Sequence, residues 1–198
     1  MRLPMNKHPK VYVIAGPNGS GKTTFASEFL PSYANSPAFI NADTIARGLS
    51  GFSPDAVALK AGRLLLEQIE IYAAKRIDFA FETTLSGTNY LSRLRALQES
   101  GYAVHLFFLW IPDVRLSLAR VASRVKMGGH DISETVVRRR FHKGIENFLK
   151  HYRAVTDSWM LFDNSGTVPR LIAEEKAGKT DISDQKLYDQ IVTVAEGQ

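Results

Sequence analysis

Gly16-Pro17-Asn18-Gly19-Ser20-Gly21-Lys22-Thr23 matches G-x-x-x-x-G-K-[ST], the phosphate-binding P-loop. Its flanks agree with its letters. Val11 to Ala15 is a short apolar run rich in β-branched residues, as a buried parallel strand requires. Thr24 to Leu30 continues as a helix, and Pro31 is expected to stop it. A strand–loop–helix unit gathers backbone N–H groups at a helix N-terminus, where an anion is favoured. Lys22 is placed to reach the β- and γ-phosphates of ATP, and the Thr23 hydroxyl to bind Mg²⁺. Thr24 opens the helix beside them.

Working outward, Ala38-Phe39-Ile40 reads as a second strand ending in Asn41-Ala42-Asp43. In an open α/β sheet the chemistry lies beyond the carboxyl ends of the strands. Asp43 therefore belongs near the phosphates, unless it only caps a helix starting at Thr44. Gly48 to Phe52 reads as a loop, and Ser53-Pro54-Asp55 as the start of a helix running to about Ala74. Ile77 to Phe81 is a third strand delivering Glu82, Thr83 and Thr84 at its end. Glu82 has three open roles: holding Mg²⁺ through water, positioning an acceptor hydroxyl, or orienting another group. Leu85 to Asn89 reads as a loop over the acceptor pocket.

Tyr102 to Trp110 is the longest apolar run and reads as a central strand. His105 lies inside it and is expected to be structural. In the helix opened by Pro112-Asp113, Arg120 and Arg124 stand one turn apart beside the apolar stripe, so they can line a cleft. Residues 126–140 read as a lid: a Gly128-Gly129 hinge, then a helix capped at Ser133 with Arg138, Arg139 and Arg140. On a wheel of about 100° per residue, Arg139 faces solvent, and Arg138 and Arg140 fall on the two shoulders. Trp159 to Phe162 is a fifth strand, followed by a turn at Asn164 placed near a nucleotide base. Arg170 to Ala173 reads as an edge strand, residues 174–180 as loose, and 185–195 as a weak helix.

The 198 residues suit one domain, 1–198, with 174–198 peripheral. The expected fold is a doubly wound parallel α/β sheet of the nucleoside/adenylate kinase type, with helices on both faces and an arginine-bearing lid. The absence of cysteine excludes disulfides, thiolate metal sites and cysteine nucleophiles. No apolar run is long enough to span a bilayer, and no signal-peptide core is present, so a cytoplasmic protein without membrane contact is expected. The net charge is +5 and the pI about 9.5. That is compatible with nucleic acid, but much of the excess lies within 115–153, where a phosphate-handling enzyme needs it. Nucleic acid is therefore not the expected partner.

The ordered set of P-loop, Asn41-Ala42-Asp43, Phe81-Glu82-Thr83-Thr84, Arg120/Arg124, Gly128-Gly129-His130 and Arg138 to Phe141 resembles the zeta-toxin family of P-loop kinases, similar to adenylate and shikimate kinases. The resemblance covers roughly Val11 to Ala173. It implies ATP as donor, a hydroxyl of UDP-N-acetylglucosamine as acceptor, and an antitoxin protein as partner. It also implies Asp43 as base, Arg124 with Arg138 or Arg140 as phosphate clamps, and Arg120 stacked on adenine. Two other classes stay open: a nucleic-acid end kinase or nucleic-acid-binding ATPase, and a regulatory nucleotide-binding protein without an acceptor.

Overall fold

A computed structural model describes residues 8–33, 38–49, 57–129 and 131–196. Five strands are parallel: β1 (Lys10–Ala15), β2 (Phe39–Ile40), β3 (Phe79–Thr83), β4 (Ala103–Trp110) and β5 (Ser158–Asp163). Two more, β6 (Arg170–Lys176) and β7 (Lys179–Ile182), close one edge antiparallel. The sheet order is β2-β3-β1-β4-β5-β6-β7. The P-loop strand thus sits between two parallel neighbours, buried on both faces, which accounts for its unbroken apolar sequence.

Residues 174–180 are therefore ordered, contrary to expectation. Ala177 and Gly178 both take positive φ, 52° and 75°, as a two-residue hairpin turn requires. The turn joins β6 to β7 without an Asn-Gly or Asp-Gly signature to announce it. The sheet is accordingly parallel only up to β5.

Helices cover both faces. On one face α1 (Lys22–Tyr33) packs Phe25, Ala26 and Leu30 against Tyr12, Ile14, Phe107 and Leu109. The other face is the larger core. It is roofed by α3 (Ala58–Lys75), α4 (Leu91–Glu99), α6 (Glu134–Asn147) and α7 (Gln185–Glu196). Phe148 anchors it, 4.8 Å from the Phe108 ring and edge-on to Trp159. Each such fully buried side chain contributes about 1.5–3 kcal/mol of apolar burial. The remaining helices are α2 (Ala42–Leu49) and α5 (Val114–Lys126).

Several boundaries differ from those read in the sequence. Pro31 does not stop α1, which runs to Tyr33. In the last turn, the proline ring removes one intrahelical bond, to the Ser27 carbonyl, and the helix ends two residues later. Gly48 and Leu49 are helical rather than loop. The proposed start at Ser53-Pro54-Asp55 and the His130 position lie outside the described residues. Ser133 stands at the N-cap of α6 but makes no side-chain bond to it, whereas Asp113 caps α5 by accepting from the Arg115 N–H at 2.7 Å. His105 is structural as expected. Its Nδ1 lies 2.7 Å from the Ser158 hydroxyl and its ring stacks on Tyr12. No described helix is long and apolar enough to cross a membrane.

Candidate active site

The sheet order places the chemistry along one rim. Ile14 pairs with Glu82, so the end of β3 stands beside the start of the P-loop. Strand β2 lies outside β3 and hands the chain to α2, which brings Asp43 to the same side. Together with Arg120, Arg124 and Arg140 these elements enclose a cleft of about 510 Å³.

The phosphate loop is built tightly. Gly19 and Gly21 take φ of 73° and 85°, conformations that cost a side-chain-bearing residue about 1–2 kcal/mol. A Cβ would also meet the Ser117 carbonyl oxygen at 2.8 Å from Gly19, or Asn164 Nδ2 at 2.7 Å from Gly21. Those neighbours hold the loop in place. The buried Ser117 hydroxyl, on α5, donates to the Asn18 carbonyl. Asn164 donates from Nδ2 to the Ser20 carbonyl at 2.6 Å. Arg120 bridges loop and turn, donating to the carbonyls of Gly19 at 3.3 Å, Asn164 at 2.9 Å and Ser165 at 2.7 Å. Arg120 thus ties the phosphate loop to the turn after β5.

Lys22 is buried and donates from Nζ to the carbonyls of Gly16 and Pro17, at 2.9 and 2.8 Å. Burial lowers its pKa, opposed by the carboxylates of Glu82 and Asp43. Burial likewise raises the Glu82 pKa, opposed by Lys22 and by the Thr23 hydroxyl, which donates to Glu82 Oε2 at 2.9 Å. Lysine, threonine and glutamate therefore form one interlocked group at the N-terminus of α1.

Asp43 is not the cap of its helix. Asn41 accepts the Thr44 N–H at 3.0 Å through Oδ1, which leaves Asp43 in the first turn with its carboxylate turned to the cleft. Arg124 approaches it at 3.9 Å, both side chains being partly exposed. The basic helix is resolved by its docking. Val137, Ile145 and Phe148 are buried, and Arg140 lines the cleft, its pKa lowered by burial and supported by Asp43. Arg139 is exposed. Arg138 is outside the cleft lining and donates from Nε and Nη2 to Glu134, at 2.8 and 2.6 Å.

Thr83 and Thr84 line the cleft. The loop after them is braced from behind by residues that the sequence does not single out. Asn147, buried at the end of α6, donates to the Leu85 carbonyl at 2.7 Å. The Tyr152 hydroxyl donates to the Gly87 carbonyl at 2.7 Å. Leu85 itself is buried at φ 51°, with its N–H on Thr83 Oγ1 at 3.1 Å. Nothing local signals Asn147, because its partner is 62 positions away. Asn147→Ala should cost about 1–3 kcal/mol, the penalty for leaving a buried carbonyl unpaired. Thermal unfolding measures it, and an unchanged midpoint would remove the brace.

Oxygen ligands suit Mg²⁺, which is bound through one or two carboxylates plus phosphates and keeps several waters. Thr23 Oγ1 and Glu82 Oε2 offer that donor type beside the phosphate loop. Among the described residues no group of three or more His, Asp or Glu side chains is placed to hold a metal ion.

Residues 2–187 match the family model described as Zeta toxin. The chain is 35% identical over 135 residues to an uncharacterized protein of Haemophilus influenzae, covering 67% of this chain and 92% of that one. Among solved structures it is similar to the ATP-bound complex of AvrRxo1-ORF1 with its ORF2, with a TM-score of 0.72 and 18% identity over 94% of the chain. It spans only 64% of that protein's length. It is also similar to the PezAT chromosomal toxin–antitoxin system of Streptococcus pneumoniae, with a TM-score of 0.69, 14% identity, and coverage of 98% of this chain and 87% of the other. At these identities the structural likenesses establish the fold.

Proposed function

The chain belongs to the zeta toxin family of P-loop proteins, and from that premise we propose that it is an ATP- and Mg²⁺-dependent kinase acting on a hydroxyl of a small molecule. One observation carries the reading: Asp43, relieved of capping by Asn41, faces the P-loop across a cleft that also holds Arg124 and Arg140. A carboxylate opposite a phosphate cradle, flanked by arginines, is what in-line transfer to a hydroxyl needs.

The P-loop N–H groups and Lys22 hold the phosphates of ATP. Thr23 and Glu82 are the residues that would hold Mg²⁺, which would supply neutralisation of the phosphate charge. Asp43 accepts the proton of the acceptor hydroxyl, or fixes that hydroxyl in line with the γ-phosphorus. Arg124 and Arg140 stabilise charge on the transferring group. Arg120 and Asn164 hold the base side. Residues 126–140 form the proposed lid segment, whose Arg140 lines the cleft. UDP-N-acetylglucosamine, the acceptor implied by the family, is the first compound to assay, and an antitoxin is the partner class to seek.

The test is incubation with γ-labelled ATP, Mg²⁺ and a metabolite panel, followed by separation of labelled products. Transfer of label only to water would overturn the kinase reading in favour of a nucleotide switch. Within the lid, Arg140→Ala should lower kcat by about tenfold or more while ATP affinity changes less, because the charge it meets develops in the transition state. Arg138→Ala and Arg139→Ala should leave kcat within about twofold, since exposed pairs contribute little. Equal losses at all three positions would contradict the docking of α6.

A further inference from the structure

We propose that Gly144, Asn147 and Tyr152 are positioning residues for the transfer step, an inference that rests on the kinase reading above. They clamp the loop after β3 onto α6, so that the hydroxyls of that loop and Arg140 meet the cleft as one unit. The shape of the loop is not a local preference. Leu85 takes φ 51° although it is neither glycine nor asparagine, a left-handed conformation that persists only where the surroundings impose it. On the cleft side, Thr83 Oγ1 accepts the Leu85 N–H at 3.1 Å and hydrogen-bonds with the Tyr90 hydroxyl. On the far side, the backbone carbonyls of the loop turn onto α6 and the turn that follows it. The Thr84 carbonyl oxygen packs on Gly144, where a Cβ would lie 2.6 Å from it. The Leu85 carbonyl accepts from Asn147 Nδ2, and the Gly87 carbonyl from the Tyr152 hydroxyl, each at 2.7 Å. With its carbonyls held there, the loop lines the cleft with Thr84, Ser86 and Asn89. The Thr84 and Ser86 hydroxyls stand 2.9 Å apart.

The helix geometry links this clamp to Arg140. At about 100° per residue, Arg140, Gly144 and Asn147 fall within about 60° of one another. The face that puts Arg140 into the cleft is therefore the one that grips the loop. Glycine is a poor helix former, and its place here follows from the Thr84 carbonyl standing where a side chain would begin. Tyr152 would not share that face in a continuous α-helix. Five residues after Asn147, it would stand about 140° away. A π-helical turn, Phe148–Tyr152, removes the offset: the Arg153 N–H bonds to the Phe148 carbonyl, five residues back, which aligns residues five apart. Phe148 fixes the turn through its contacts with the Phe108 and Trp159 rings. Burial raises the Tyr152 pKa to about 12, so its hydroxyl stays a donor at any working pH.

The phosphate loop is held by other contacts, through Ser117, Arg120 and Asn164. The clamp therefore bears on the acceptor and on Arg140, not on the binding of ATP. A substrate that touches both the loop and Arg140 has the distance between them set by Gly144, Asn147 and Tyr152.

The experiment measures phosphorylation of UDP-N-acetylglucosamine under saturating ATP and Mg²⁺, with ATP affinity taken by calorimetry. Gly144→Ala drives a methyl against the Thr84 carbonyl and should lower acceptor kcat/KM by about 10²-fold, the scale for a displacement of about 1 Å remote from the chemistry. Tyr152→Phe keeps the buried ring and removes one hydrogen bond; it should lower acceptor kcat/KM by about tenfold and decides the matter if Gly144→Ala does not fold. ATP affinity should stay within about twofold in both variants. Acceptor kcat/KM near wild type in Tyr152→Phe, or an equal loss of ATP affinity, overturns the proposal. A double-mutant cycle separates positioning from general destabilisation. Gly144→Ala combined with Arg140→Ala should lose less than the product of the single losses, because no arginine is left to misplace. Multiplicative losses overturn the proposal. A further measurement needs no turnover: hydrogen exchange of amides 85–90 in protein loaded with a non-hydrolysable ATP analogue. Exchange there should rise at least about tenfold in both variants while that of β1 is unchanged. Unaltered exchange overturns the clamp. Failure of the wild-type protein to phosphorylate any compound counts against the kinase reading, and the exchange measurement then decides the clamp by itself.

Discussion

Lys22→Ala is expected to abolish phosphoryl transfer, a loss of roughly 10²–10³-fold or more, the scale for removing a preorganised charge donor from a desolvated site. Lys22 is buried, its ammonium is aimed by the carbonyls of Gly16 and Pro17, and its charge is compensated by Glu82. Alanine removes the cation that meets the β- and γ-phosphates and leaves Glu82 facing the loop without it. The fold should survive, because the strand and helix flanking the loop are held by Ile14, Phe25 and Leu30 in their own core. Steady-state kinetics and a circular-dichroism melt on the same sample check both halves of the expectation. Near-wild-type turnover with an intact fold would take the P-loop out of the mechanism.

Asp43→Asn should leave ATP affinity within a few-fold yet reduce acceptor phosphorylation by about 10²-fold or more, the usual contribution of general base catalysis. Asparagine preserves size and the first-turn position in α2, and Asn41 continues to cap the helix. What disappears is the proton acceptor and the charge opposite Arg124. Glu82→Gln should behave differently. Its partner is the Thr23 hydroxyl, the proposed metal ligand beside the phosphate loop, so its effect on KM should equal or exceed that on kcat. Kinetics on both variants, with calorimetric titration of ATP and Mg²⁺, separates the roles. Loss of ATP–Mg²⁺ binding in Asp43→Asn would make Asp43 a metal-site residue and move the base to Glu82. Normal phosphorylation by both variants would remove the carboxylates from the chemistry.

The placement of these groups was partly legible in the chain. Asp43 could be assigned to the strand-end rim because the second strand ends there, but its two roles stayed open until Asn41 was seen to take the cap. The arginines of α6 could be narrowed to two shoulders of a wheel. Periodicity defines a face relative to the helix's own apolar stripe, and both shoulders border that stripe equally. The hairpin at 174–182 escaped because Ala177-Gly178 carries little turn signal, and the pairing of β6 with β5 supplies the energy that local preference does not.

By itself the sequence determined the strand, the phosphate loop, the helix after it, and the order of carboxylates and arginines along the chain. Those features rest on short-range physics: glycine conformations, β-branched burial, and helix starts within a few residues. Only the tertiary structure decided that Arg140 rather than Arg138 enters the cleft, that Arg120 and Asn164 lock the phosphate loop, and that Asn147 braces the loop after β3. Each of these depends on how one packed element is rotated against another, an angle set by side chains such as Val137, Ile145 and Phe148 meeting the sheet, and no local stretch of sequence encodes it.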